Sequence, residues 1–318
     1  MPVAAPRVAC SVAMGANDIM SSHRREGTLS PMTDQPGRTP RLSYTTPTLI
    51  RAGEATPHRW GDEASGYVED EVLVSSARLH SIIFTLPPRG RFVHSPENPT
   101  IFRADIVYVV LEGSLVLVDP EHGQVVRASH GDALFFRRDT WHDGYNRARA
   151  PTRVLELFAP TPAAGASSAY ARAQPFLERN RYGNDHAIGH WPDLAPTLER
   201  QARIRLVAPA QRLLRLEGDI LWGLIASTQH LHAATGELPA GGAGPARGYG
   251  GDACLHITSG QVIATAASDG DVDELSLGPG DTLIAPQGTR LGLRCEPERD
   301  AAFILGVAPA YDATDPPA

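Results

Sequence analysis

The strongest constraint on this chain is that it repeats itself. The segment DIVYVVLEG runs from Asp105 to Gly113 and DACLHITSG from Asp252 to Gly260, an offset of 147 residues. A Gly-Asp pair follows each, Gly131-Asp132 and Gly280-Asp281, at an offset of 149. Matching landmarks in matching order imply two copies of one fold. The length of 318 residues agrees, being about twice a typical domain of ~150.

Around these landmarks the texture is uniform. From Leu79 onward come short apolar runs, HSIIFTL, DIVYVVLEG, SLVLVD, QVVRAS, DALFF and TRVLELF, separated by Gly, Pro and Asp. After Ile204 the pattern resumes with RLVA, RLLRL, ILWGLIAST, QVIATAA, DELSL, DTLIAP, LGLRC and AAFILGVA. Runs of this length and spacing predict an antiparallel all-β sandwich or barrel in each half. Between them, SSAYARAQPFLERN and WPDLAPTLERQ carry the only helical character, so residues 163–203 read as a short, partly helical connector. The expected domains are thus a first barrel over 41–162 and a second over 204–318. At the start, Met32 opens a second candidate start codon behind the purine-rich RREG coding stretch, and residues 1–40 are expected to be disordered or untranslated.

Composition removes several function classes. All 29 residues in the Lys+Arg count are arginine. Without lysine there is no Schiff-base or pyridoxal chemistry, no P-loop and no protein-kinase apparatus. The bias itself reads as the codon usage of a GC-rich, actinobacterial genome. A net charge of −7 argues against nucleic acid as a partner. No apolar run reaches the ~20 residues of a membrane helix, and the weakly apolar stretch Val8 to Ala16 lacks the features of a signal peptide. Cys10, Cys254 and Cys295 show neither zinc spacing nor a disulfide framework, which fits a reducing cytoplasm.

The landmarks resemble the cupin superfamily of small double-stranded β-helix, jelly-roll-like barrels. The family's second motif reads Gly, five residues, Pro-x-Gly, two residues, His, three residues, Asn. In GDALFFRRDTWHDGYN, Gly131, His142 and Asn146 stand at that spacing, with Arg137 and Asp139 in place of Pro and Gly. In GDTLIAPQGTRLGLRC, Gly280, Pro286 and Gly288 are kept, with Leu291 and Cys295 in place of His and Asn. The chain is therefore similar to bicupins over residues 79–311, with the chemistry expected in the first barrel. The family's first motif, His-x-His followed by a Glu seven residues before the glycine, falls here near Thr100, Phe102 and Ile106, and its Glu position in the second copy is Ala253. None of these can be a ligand.

The resemblance directs attention to His142, which stands at a family ligand position and could act as general acid or base. Tyr108 shares a strand face with Ile106 and Val110 and is a second candidate catalytic group, or a core aromatic whose hydroxyl needs a partner. Asn146, Arg138, Arg103, Trp141 and Tyr145 are candidate substrate-binding residues, an inward arginine at 137 or 138 being a suitable anchor for a carboxylate. The cofactor is either none or one divalent metal ion (Fe, Mn, Zn or Ni). His142, His94 and Asp105 would then hold it, with Glu97 as a further recruit, and three or four converging ligands are required. His230 and His232 form a His-x-His in the second half that reads as a structural or solvent-facing pair. Cys254 and Cys295 read as buried small hydrophobes.

Three functions follow as expectations: an acid–base enzyme performing isomerisation, cyclisation or elimination on a small oxygenated or carboxylated metabolite; a metal-dependent bicupin dioxygenase or decarboxylase; and a non-catalytic small-molecule-binding protein. The partner in each is a small molecule. The barrel edges also admit a homodimer.

Overall fold

The computed structural model describes residues 39–95, 97–161, 200, 202–268 and 270–309. All but Thr39 and Pro40 of the leading extension, Cys10 included, and all but three residues of the expected connector lie outside them. Among the described residues no helix is long and apolar enough to cross a membrane.

The first half supplies β1 (Thr48–Ile50), β2 (Thr56–Asp62), β3 (Gly66–Ser75), β4 (His80–Leu86), β5 (Arg91–Phe92), β6 (Asp105–Glu112), β7 (Ser114–Asp119), β8 (Gln124–Ser129), β9 (Ala133–Phe136), β10 (Asp143–Tyr145) and β11 (Thr152–Ala159). The second supplies β12 (Arg205–Val207), β13 (Leu213–Glu217), β14 (Ile220–Ser227), β15 (His232–Leu238), β16 (Ala243–Gly248), β17 (Asp252–Ser259), β18 (Val262–Ser268), β19 (Asp271–Leu277), β20 (Thr282–Ala285), β21 (Arg290–Cys295) and β22 (Ala301–Ala308). Each half forms a seven-stranded and a four-stranded antiparallel sheet: β12-β9-β6-β11-β4-β3-β2 with β5-β10-β7-β8, and β1-β20-β17-β22-β15-β14-β13 with β16-β21-β18-β19. The architecture is all-β, two barrels of jelly-roll type.

Three cores explain the sequence texture. One fills the first barrel (Ile106, Tyr108, Leu115, Phe136), another the second (Leu255, Val262, Leu293, Phe303). The third lies between the halves, where Ile83, Val107, Val109, Leu155 and Leu157 meet Ile225, Ala233, Cys254 and Ile304. The two large sheets therefore stack back to back. Their strands are covered on both faces, so β6, β11, β17 and β22 read as continuous apolar runs rather than alternating ones. The approach is close: a Cβ added at Gly306 would stand 2.7 Å from the Leu157 methyl carbons.

The barrels are not independent along the chain. β1 pairs with β20, placing Thr48 opposite Ile284, and β12 pairs with β9, placing Arg205 opposite Phe135. Each barrel thus gives an edge strand to the other's sheet. Within the expected spans of 41–162 and 204–318, the short strands β1 and β12 find their neighbour in the other half. The repeat landmarks adopt matched backbone: Gly131 and Gly280 both have φ of +85°. Asp139 and Gly288, which occupy one motif position, have φ of +60° and +92°. Asp is among the few non-glycine residues that tolerate this region.

Candidate functional site

In the first barrel β3, β4, β6 and β11 lie side by side in the large sheet, with Glu156 opposite both Ile82 and Tyr108. Because alternate side chains face inward, Asp70, His80, Ile82, Phe84, Tyr108, Glu156 and Phe158 project into the barrel. There they line a cavity of about 130 Å³, closed opposite by Phe92, Thr100 and His142. Among its lining residues only Thr39, Trp60 and Phe102 are half-buried. The way in runs between those three.

A hydrogen-bonded series crosses one wall. His142 Nδ1 lies 3.2 Å from the Thr140 carbonyl oxygen, which can only accept, so the ring proton is at Nδ1 and Nε2 is an acceptor. The Tyr108 hydroxyl, 3.1 Å away, therefore donates to Nε2. Glu156 pairs opposite Tyr108 across β6 and β11, so its carboxyl and the phenol act on each other electrostatically.

Burial, reinforced by the nearby Asp70 carboxylate, pushes the Glu156 carboxyl up to about 8. Burial pushes His142 down to about 4, against a smaller opposing effect of the Thr140 carbonyl, and His80 down to about 3. Tyr108 is raised well above its ordinary value by burial and by Glu156. At pH 7 these groups are neutral, with the mobile proton on Glu156. Moving it to His142 spans about 4 pKa units, roughly 5 kcal/mol. His142, the base expected from the sequence, is thus a neutral acceptor, because burial leaves it without a carboxylate partner.

The remaining expected site residues go elsewhere. Asn146 fastens a loop: its amide donates to the Leu86, Pro87 and Ala150 carbonyls, and its oxygen accepts from the Ala148 N–H. Arg138 is turned out to Asp139, and Arg103 is exposed. Arg137 is held by Asp105 at 2.7 Å. Among the described residues no arginine lines the cavity. Trp141 packs on His94, ring centroids 5.0 Å apart, and Tyr145 sits in β10 opposite Arg91 and Val116; neither lines the cavity.

The expected metal set of His142, His94 and Asp105 does not assemble. His94 Nδ1 accepts from the Thr100 N–H, and the His94 backbone N–H donates to Asp143, whose carboxyl burial pushes up to about 6. Asp105 faces away from Ile106 and Tyr108 toward Arg137, as strand alternation requires. Among the described residues, the one group with metal-ligand geometry is Asp119, Glu121 and His122, away from the cavity. The donor set at the family's metal position, one imidazole whose Nε2 already holds the Tyr108 hydroxyl, with Thr100, Phe102 and Ile106 beside it, does not fit a resident divalent ion.

The second barrel also holds a cavity, of about 440 Å³, lined by Glu217, Trp222, His232, Ala234 and Leu305 among others, but Leu305 of β22 stands there where Glu156 of β11 stands in the first. Leu291, Leu293 and Cys295 pack in the core of the second barrel. His230 lies in a turn and only His232 in β15, so the two do not share a strand face. Cys254 is buried against Ser81, its thiol pushed up to about 12.

Fold comparison gives probability 1.00 to oxalate decarboxylases and a glyoxylate-induced protein. The oxalate decarboxylase of Bacillus subtilis superposes with a TM-score of 0.57 at 12% identity, over 86% of this chain and 80% of its own. That of Lactobacillus farciminis, in complex with formate, gives 0.57 at 12%, over 86% and 89%. The two-barrel fold is that of the bicupins. A putative glyoxylate-induced protein of Pseudomonas aeruginosa gives 0.57 at 13%, over 89% of this chain and 96% of the other. No protein-family model and no curated protein sequence matches the chain. The Bacillus enzyme has Mn(II) centres.

Sequence reasoning missed Glu156, Asp70 and His80. The signal was present: a Glu in the centre of TRVLELF breaks an apolar run covered on both faces, and Glu is almost never buried without a purpose.

Proposed function

We propose that the first barrel houses an acid–base active site for isomerisation, cyclisation or elimination of a small oxygenated molecule. The observation that carries this reading is the placement of the buried Glu156 beside Tyr108, whose hydroxyl donates to His142, along the wall of a cavity rich in aromatic side chains. Glu156 is the proton-transferring group. Its proton affinity is matched to neutral pH, where an acid–base catalyst works best. Tyr108 stands opposite the carboxyl and is itself fixed by His142 Nε2, so both act as positioning groups. A site of this kind holds few solvent molecules, and a proton given to a substrate oxygen or taken from carbon is not lost to bulk water. The cavity's volume, near that of the ~150 Å³ cavity that accepts benzene, supports a small substrate.

The test is turnover of a panel of small hydroxy-carbonyl compounds by wild type, Glu156→Gln and Tyr108→Phe. Loss by about 10²–10⁴-fold in Glu156→Gln with retained fold supports the proposal. Undiminished turnover in Glu156→Gln overturns it, and ligand affinity with no turnover on any compound favours the non-catalytic binding reading.

A second reading, a metal-dependent decarboxylase, is favoured by the fold likeness to oxalate decarboxylases. Metal analysis separates the two. One first-row metal per chain, lost in His142→Ala together with activity, would replace the acid–base reading with this one.

A further inference from the structure

The cavity has a one-sided chemistry. Two carboxyls, Asp70 and Glu156, stand in its lining, and among the described residues no arginine does. Trp60, Phe84, Phe92, Phe102 and Phe158 bring five aromatic rings to the same lining. The titratable groups around Glu156 are Asp70 on β3, His80 on β4, Tyr108 on β6 and His142 ahead of β10. Asp70 has His58 of β2 beside it at 3.0 Å, and Arg41, which acts on His80, is turned to Ser75 Oγ at 3.2 Å. Among the described residues no cationic side chain partners Glu156, and the groups that act on it are the Asp70 carboxyl and the Tyr108 hydroxyl.

Aromatic faces and carboxylates attract the same class of ligand. A compact organic cation gains from the ring quadrupoles and from the carboxylate, and the first of these is strongest where water is excluded. An anion such as oxalate meets two carboxyls and no donor cation, so the desolvation it suffers is not repaid.

We propose that this cavity binds a small organic cation, an alkylammonium group, with Glu156 as its counter-ion. The inference uses the same cavity as the acid–base reading and deepens it, since a bound cation sets Glu156 in its basic form, ready to take a proton from the ligand. The ligand class is narrow. About 130 Å³ accepts tetramethylammonium or a primary amine of similar bulk.

The experiment is calorimetric titration of the full chain at pH 8 and matched ionic strength with tetramethylammonium, with uncharged tert-butyl alcohol of the same shape, and with oxalate. Tetramethylammonium is expected to bind roughly tenfold more tightly than the alcohol, with oxalate not competing. Glu156→Gln should bring the cation down to the level of the alcohol. Asp70→Asn serves as a second variant should Glu156→Gln not fold. Equal binding of cation and alcohol, no binding of the cation, or displacement of it by oxalate would overturn the inference. Cation binding without turnover of any ammonium compound retains this inference and removes the acid–base enzyme. Turnover of neutral compounds with no preference for the cation does the reverse.

Discussion

Replacing Glu156 by Gln gives the most quantitative test of the buried carboxyl. In the native state its pKa is raised to about 8, from an ordinary value of 4.5. Between those values the native state holds a proton that the unfolded state has lost, so stability falls as pH rises, at about 1.4 kcal/mol per pH unit. Over the whole window the loss is roughly 5 kcal/mol, complete only above pH 8. Glu156 is buried, 8% exposed, so solvent screening takes little from this figure. Gln keeps the shape, but it cannot ionise. His142 and His80, both lowered, contribute in the opposite sense, gaining stability as pH rises toward 6.5. Their share cancels when the variant is subtracted from wild type. Urea unfolding of both proteins from pH 4 to 9 should therefore give a difference in unfolding free energy that moves steadily in favour of Glu156→Gln from pH 4.5 to 8 and then levels. A difference independent of pH would refute the placement of a protonated carboxyl in this wall.

Three further outcomes follow from the geometry. Tyr108→Phe should cost about 1–3 kcal/mol of stability, because it strands the buried His142 Nε2 acceptor; a loss of less than a few tenths in urea unfolding would mean that the imidazole does not depend on the hydroxyl. Gly306→Ala should destabilise by about 1–3 kcal/mol through its contact with Leu157, and combining it with Leu157→Ala should cost clearly less than the two single losses added, as thermal unfolding of the set would reveal. β13 forms one edge of its sheet with Leu213, Leu214 and Leu216 exposed, so Leu214→Lys with Leu216→Lys should reduce self-association in light scattering at rising concentration.

Much of the fold was legible because burial on two faces writes long apolar runs. β4, β6 to β9, β11, β14, β17, β18, β20, β21 and β22 coincide with runs visible in the sequence, and the two Gly-Asp landmarks fix the repeat. β2 and β3 were not read, since TPHRWGD and GYVEDEV mix charge with aromatic residues and show no apolar signal. β16, AGPARG, has the composition of a turn and is a strand only through its bulged pairing with β21. At the site, the motif located His142, and alternation along β6 located Tyr108. The groups that set the charge of the cavity came from β3, β4 and β11, which carry no motif. Pairing register brings Glu156 opposite Tyr108, and register is a long-range property that spacing within one strand does not reveal.

The exchange of edge strands also sets an order of events on the ribosome. β1 is the first strand to be made among the described residues, yet its partner β20 follows about 230 residues later. At roughly 5–20 residues per second that is a wait on the order of 12 to 50 s. The first barrel waits less, for β12, and can otherwise close while the second is still being translated. A nascent chain stalled before Thr282 would hold Thr48–Ile50 as an open, apolar edge, and the last seven-stranded sheet would be completed by the oldest of the described strands.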